Sequence, residues 1–143
     1  MLMQKMSLQD FSNKVFTGLV LTMIIDGIWI NLVSKPFYLA TLSNIMLSPE
    51  HMEPHQWVAA IIAWLALVIG IVIFVLPQTN RSNLKYAATL GALYGFVVYS
   101  TYEFTNYAIF KYWPISIVAM DVAWGCVFCA GLATVLTWLH GTD

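Results

Sequence analysis

The chain has 143 residues, is 60% hydrophobic and only 9% charged, against roughly 25% charged in soluble domains. That excludes an ordinary soluble globule, and a formal net charge of −1 with six scattered Lys and Arg excludes the clustered basic stripe of a nucleic-acid binder. Because no polar stretch between the apolar segments exceeds roughly 20 residues, residues 1–143 are expected to form one domain, a single bundle inside a membrane.

In chain order, a polar opening, MLMQKMSLQDFSNK, precedes an apolar run at about 15–34. That run is too long for the core of a signal peptide and lacks an obvious cleavage site, so it is expected to be retained as the first span. Three more follow at about 56–76, 85–110 and 114–138, each near the ~20 residues needed to cross ~30 Å of hydrocarbon. Lys35-Pro36 is expected to end the first, Pro54 and Pro77 bracket the second, and Trp113-Pro114 opens the fourth. Backbone groups in lipid must be bonded within the segment, so every span is a helix. The expected fold is all-α: a polytopic membrane protein with four transmembrane helices in one bundle.

Lys5, Lys14, Arg81 and Lys85 lie on one side of that arrangement, and Lys35 and Lys111 on the other. The positive-inside tendency then puts both termini in the cytoplasm. Tyr38, Trp57, Tyr107, Tyr112 and Trp113 gather near the external ends of the spans, as an interfacial aromatic belt does. The second span, WVAAIIAWLALVIGIVIFVLP, has no ionisable residue and reads as a packing and lipid-facing helix.

Two motifs invite metal or redox chemistry. The loop PEHMEPH holds Glu50, His51, Glu53 and His55, but the spacing matches no established metal pattern and a solvated loop is the better reading. Cys126 and Cys129 form a Cys-x-x-Cys inside an apolar segment, far from the accessible helix N-terminus that activates such thiols, so they read as small polarisable core residues. No metal site and no cofactor is expected.

The chemistry sits elsewhere. Asp26 in IIDGIWI, Glu103 in YSTYEFTNY and Asp121 in VAMDVAWG interrupt three of the spans. A carboxylate near a bilayer centre costs at least ~2.5–3.5 kcal/mol on insertion scales, so such residues face a bundle interior, a partner or a water-filled cavity. On the third span, steps of about 100° gather Ala92, Gly95, Tyr99, Tyr102, Glu103 and Asn106 on one face, with Leu90, Leu93, Val97, Phe104 and Ala108 opposite. Gly91 and Gly95 beside that stripe allow a neighbouring backbone to come close. The first span carries Gly18, Thr22, Asp26 and Trp29 on one side, and the fourth carries Asp121, Trp124, Gly125 and Phe128. Asp-x-x-Trp occurs in both. An inverted repeat would produce that, but four matching letters are better explained as coincidence.

All three acids fall in the external half of their spans, with Tyr102, Asn106 and Lys111 at similar or shallower depth. An outward-opening acidic pocket is expected, with Asp26, Trp29, Tyr99, Tyr102, Glu103, Asn106, Lys111, Asp121 and Trp124 as candidate ligand-binding residues. Like charges that close cannot all stay ionised in low dielectric, so a proton-sharing cluster is expected unless Lys111 or a cation compensates. The competing reading is that each acid is bonded to a neighbouring Tyr, Asn or Trp and fixes helix packing, each such bond contributing on the order of 0.6 kcal/mol.

Asp26-Gly-Ile-Trp29, Phe37-Tyr38, Tyr99-Ser-Thr-Tyr-Glu-Phe-Thr-Asn106 running into Lys111-Tyr-Trp-Pro114, and Asp121-Val-Ala-Trp-Gly125 together resemble the bacterial membrane family DUF2177, over nearly the whole chain. The resemblance implies a multi-pass protein of the bacterial inner membrane and brings no established activity. The family pattern usually has Asp where this chain has Glu103, and an aromatic run in the second span that is thin here, with Trp64 alone.

Three functions fit. The first is binding or transport of a cation, proton or amine-bearing ligand on the three acids, which in so small a chain implies a homo-oligomer. The second is a structural or assembly subunit of a larger membrane complex. The third is a lipid-modifying enzyme or accessory factor, with Tyr99 or Tyr102 as proton donor and Lys111 with Trp113 holding a head group. The spans contain no histidine set and no nucleophile with a partner base, so no catalytic residue is assigned and the enzyme ranks last. Membrane lipids are the one partner every reading shares.

Overall fold

A computed structural model describes residues 6–47 and 51–141, and these residues form helices and short turns with no strand. Helix α1 spans Leu8–Trp29, α2 Lys35–Leu42, α3 Pro54–Gly70, α4 Leu84–Ile109 and α5 Ile115–His140. Ser7 opens α1 by accepting the Asp10 N–H at 3.1 Å, which satisfies one of the helix's orphan donors. At the start of α3 the Glu53 N–H donates to Gln56 Oε1 at 2.7 Å. Part of the PEHMEPH loop therefore serves as a helix cap. His55 pairs with Glu53 at 3.5 Å, and no group of metal-ligating side chains occurs among the described residues. Glu50 and Lys5 lie outside them.

The first span corrects the expected end at residue 34. The helix passes through Lys35-Pro36 and runs continuously from Leu8 to Leu42. A wide π turn over Ile30–Ser34, in which the Lys35 N–H reaches the Ile30 carbonyl five residues back, makes this possible. Proline has no N–H, and its ring strikes the carbonyl four residues earlier in a regular α-helix. A widened turn just before it absorbs both faults. The same device recurs in the second span, where a π turn at Ile71–Val75 precedes Pro77, and there the chain leaves the helix through a short 3₁₀ turn, Leu76–Gln78.

Three helical stretches are long and apolar enough to cross a membrane: Leu8–Leu42, Pro54–Gln78 and Ile115–His140. Helix α4 matches the last of these in length, at 26 residues, but its polar stripe makes it less apolar than the others. It packs most extensively against α5. The seam is built from small residues: a Cβ on Gly91 would lie 3.0 Å from Ala130 Cα, and one on Gly95 would lie 2.9 Å from Cys129 Cβ and closer still to the Gly125 carbonyl. Without a hydrophobic driving force between helices in lipid, such backbone approach supplies the van der Waals contact that holds them. Cys129, fully buried, is part of this seam, and neither cysteine is in a disulfide.

The apolar core lies in the half of the bundle away from the acids. Leu67, Val68, Ile71, Val72 and Val75 of the second span meet Phe128, Cys129, Leu132, Ala133 and Leu136 of α5. The second span is therefore a core helix on one side, and only its other side, with Val58, Ile62 and Phe74, is exposed as a lipid-facing surface would be. Leu90, expected opposite the packing face of α4, lies against the same core. The first and last described residues reach one end of the bundle, where Met6 and Lys14 line the same cleft as Leu136 and His140. There Arg81, in the turn before α4, donates to the carbonyls of Trp138 and Leu139 at 3.0 and 3.2 Å and closes the last turn of α5.

Candidate functional site: a carboxyl cluster held by indoles and a phenol

Asp26, one turn from the end of α1, is 8% exposed. Trp64 of α3 donates its indole N–H to Asp26 Oδ2 at 2.7 Å, and Trp124 of α5 donates to Oδ1 at 2.9 Å. One carboxyl group thus ties three helices together, and both of its oxygens are bonded to uncharged donors. Trp29 stacks on Trp124 with ring centroids 4.0 Å apart and planes within 2°, and Trp124 in turn stacks on Phe128 at 5.7 Å. The two Asp-x-x-Trp segments meet at this stack. They do not make equivalent bonds, because Asp121 takes its donor from a tyrosine.

The second part of the cluster is centred on Glu103, which is completely buried. Trp113, in the turn between α4 and α5, donates to Glu103 Oε2 at 2.8 Å and stacks on Phe110 at 5.6 Å. Tyr38 of α2 donates its hydroxyl to Asp121 Oδ2. The continuation of the first span beyond Pro36 is what carries Tyr38 into position. Glu103 and Asp121 stand within hydrogen-bonding reach of each other, although no N–H or O–H donor faces Glu103 Oε1. Tyr99, packed against Gly125, lies within electrostatic reach of both Asp26 and Asp121, and Asp26 within reach of Asp121.

Other buried polar atoms beside the cluster have no partner: Asn106 Nδ2 and Ser100 Oγ on α4 and Thr22 Oγ1 on α1. Asn106 and Glu103 are one turn apart on the buried side of α4. No lysine or arginine bonds any of the three acids among the described residues.

Of the residues singled out from sequence, Asp26, Trp29, Tyr99, Glu103, Asn106, Asp121 and Trp124 gather in or around this cluster. Lys111 does not, and Tyr102 lies at the margin, within electrostatic reach of Tyr38. Tyr102 is 60% exposed, and Lys111 is exposed in the turn after α4. The buried positions of α4 are Ala87, Gly91, Gly95, Glu103 and Asn106, with Tyr99 half-buried among them. Sequence reasoning missed Tyr38, assigned to the aromatic belt, and Trp64, assigned to a lipid-facing helix. Trp113 entered as a belt residue at the start of the fourth span and as a head-group contact. Their signal was in the sequence: polar-tipped aromatics at the depth of the acids.

A groove of about 230 Å³ next to the Trp29–Trp124 stack is lined by apolar atoms of Ile25, Ile28, Leu32 and Val33. A cleft of about 1050 Å³ lies at the other end of the bundle. None of the three acids lines either space.

Residues 12–139 match the family described as predicted membrane protein, DUF2177. The chain belongs to that family. No curated protein and no solved structure matches it. Membership establishes a membrane protein with several apolar helices, and the family description states no activity.

Proposed function

We propose that this DUF2177 protein is a four-span membrane protein whose carboxyl cluster binds a proton, and that it acts in proton-linked binding or transport. The single domain has both termini on the cytoplasmic side of a bacterial inner membrane. Helix α4, with 26 residues, is long enough at about 1.5 Å per residue to cross as the fourth span. The shared end reached by Met6 and Gly141 and the positions of Lys14, Arg81 and Lys85 support the orientation.

The observation that carries the reading is the fully buried Glu103, whose Oε1 faces no donor, beside Asp121. A proton satisfies this pair directly. A metal ion or an ammonium group would have to sit between the carboxyls and part them. Trp113 and Tyr38 each donate to one oxygen of the pair and favour neither acid by charge, an arrangement suited to a proton that can move between them. Asp26, held by two indoles, supplies negative potential nearby without joining the pair. A homo-oligomer would complete a pathway that one small bundle lacks.

The test is proton exchange by protein reconstituted in vesicles after an imposed pH step. Wild type is expected to bind and release a proton that Glu103→Gln and Asp121→Asn each remove. Equal exchange in all three sinks the reading. A second reading, an assembly or packing role, is favoured by Asp26, whose oxygens are both bonded within the chain. It predicts that Asp26→Asn impairs complex formation or stability and leaves proton exchange intact.

A further inference from the structure

The first helical stretch, Leu8–Leu42, has 35 residues and is about 52 Å long at ~1.5 Å per residue, whereas the hydrocarbon core of a bilayer is ~30 Å thick. Its α1 portion, with 22 residues, covers that thickness alone. The segment beyond the π turn, α2, is therefore not needed to span. It lies against the carboxyl cluster instead. Phe37, Tyr38 and Thr41 are half-buried and Leu42 is buried, while Pro36, Leu39 and Ala40 are exposed. The Tyr38 hydroxyl ends on Asp121, within electrostatic reach of Glu103.

Little holds α2 there. Leu42 is its one buried residue, and among the described residues it packs broadly on the π turn alone. No residue of that turn, Ile30–Ser34, is buried. Pro36 brings no N–H to the helical ladder, and the Lys35 N–H spans five residues to the Ile30 carbonyl. The Asn31 side chain takes the Gly27 carbonyl at 2.8 Å, and a Cβ on Gly27 would meet nothing within 4 Å, so the α1 side of the turn is loosely packed as well. Wide turns and prolines are where helices bend. A segment with few buried apolar contacts opens far more readily than a packed core.

Glu103, by contrast, is completely buried. A proton passing between solvent and such a carboxyl needs a neighbouring element to move aside, and α2 is the neighbour with the weakest hold. We propose that α2 is a lid over the carboxyl pair, hinged at Ile30–Ser34 and latched by the bond from Tyr38 to Asp121, and that its opening admits the proton. The gating role rests on the proton reading above, whereas the hinge and the latch do not. Tyr38 is then a positioning residue that controls access to the pair.

Nitroxide labels on the full chain in lipid nanodiscs read the lid without reference to protons. In a Cys126→Ala, Cys129→Ala background, one pair is placed at Ala40→Cys and Leu93→Cys, and a reference pair at Met23→Cys and Leu93→Cys, all exposed sites. Double electron–electron resonance is expected to show a closed distance and a second, open one for the Ala40 pair. Tyr38→Phe is expected to raise the ratio of open to closed about three- to eighteenfold, the range of one interhelical hydrogen bond in a membrane. Leu42→Ala, which empties the buried contact of α2, is expected to raise it about tenfold or more. The reference pair is expected to keep a single distance. An Ala40 pair unchanged in both variants, or a reference pair that broadens as much, overturns the lid. Deuterium exchange into the protonated-carboxyl infrared band tests the gating, and Tyr38→Phe is expected to speed it by the same factor. A lid that opens more while the exchange rate stays the same overturns the gating. A wild type without that band sinks the proton reading, and the labels still decide the lid.

Discussion

The two halves of the bundle are held together by different means. Around Asp26, Glu103 and Asp121, helices are joined by single directed bonds from Trp64, Trp124, Trp113 and Tyr38. Along the α4–α5 seam, Gly91, Gly95, Cys129 and Ala133 hold two backbones together by shape, and the core beneath it adds one directed bond, from the Tyr94 hydroxyl to the Leu67 carbonyl at 3.2 Å. A seam of that kind tolerates no added volume, whereas a hydrogen-bonded cluster tolerates changes that leave its donors satisfied. The contrast teaches that the acids need not be ionic to organise a membrane protein: uncharged N–H and O–H donors can bond them without a buried cation.

Substitutions that separate the two halves follow from this, starting with the most damaging. Gly95→Leu drives a side chain into the Gly125 carbonyl and Cys129. The expected cost is about 3 kcal/mol or more, seen as loss of the folded fraction when the protein is titrated with denaturing detergent. Asp26→Leu strands the indole N–H groups of Trp64 and Trp124, at about 1–3 kcal/mol each when buried without an acceptor. It is expected to destabilise by about 2–3 kcal/mol, and Asp26→Asn, which keeps one acceptor, by clearly less. If Asp26→Leu proves neutral in the same titration, the indole bonds do not hold the helices. Tyr38→Phe removes one bond to Asp121 and is expected to cost between about 0.6 and 1.7 kcal/mol. Lys111→Ala and Tyr102→Phe, both exposed, are expected to fall within about 0.5 kcal/mol of wild type. A larger effect from either would place it in the site after all.

Much of the helical scaffold could be read from the chain, because apolar runs and prolines report span length and position. The extension of the first helix to Leu42 could not. Proline is read locally as a stop, and only the three-dimensional turn at Ile30–Ser34 shows how the helix carries on through Pro36. Helical periodicity found Asp26, Glu103, Asn106 and Asp121, since a buried acid in an apolar run is conspicuous. Their partners were harder to see. Tryptophan and tyrosine suit a lipid boundary as well as a polar interior, and which role each takes depends on the neighbouring helix. Tyr102 shares the direction of the buried positions yet is exposed, because periodicity gives a side chain's direction and not which neighbour covers it.

The central claim is that Glu103 and Asp121 hold one proton between them. Infrared spectroscopy of the protein in lipid tests it most directly, through the C=O stretching band that a protonated carboxyl shows and a carboxylate lacks. A protonated-carboxyl band in wild type, shifted by deuterium exchange and absent from the Glu103→Gln, Asp121→Asn double variant, is the predicted result. A wild-type spectrum without that band, or one whose band survives the double substitution unchanged, would contradict it.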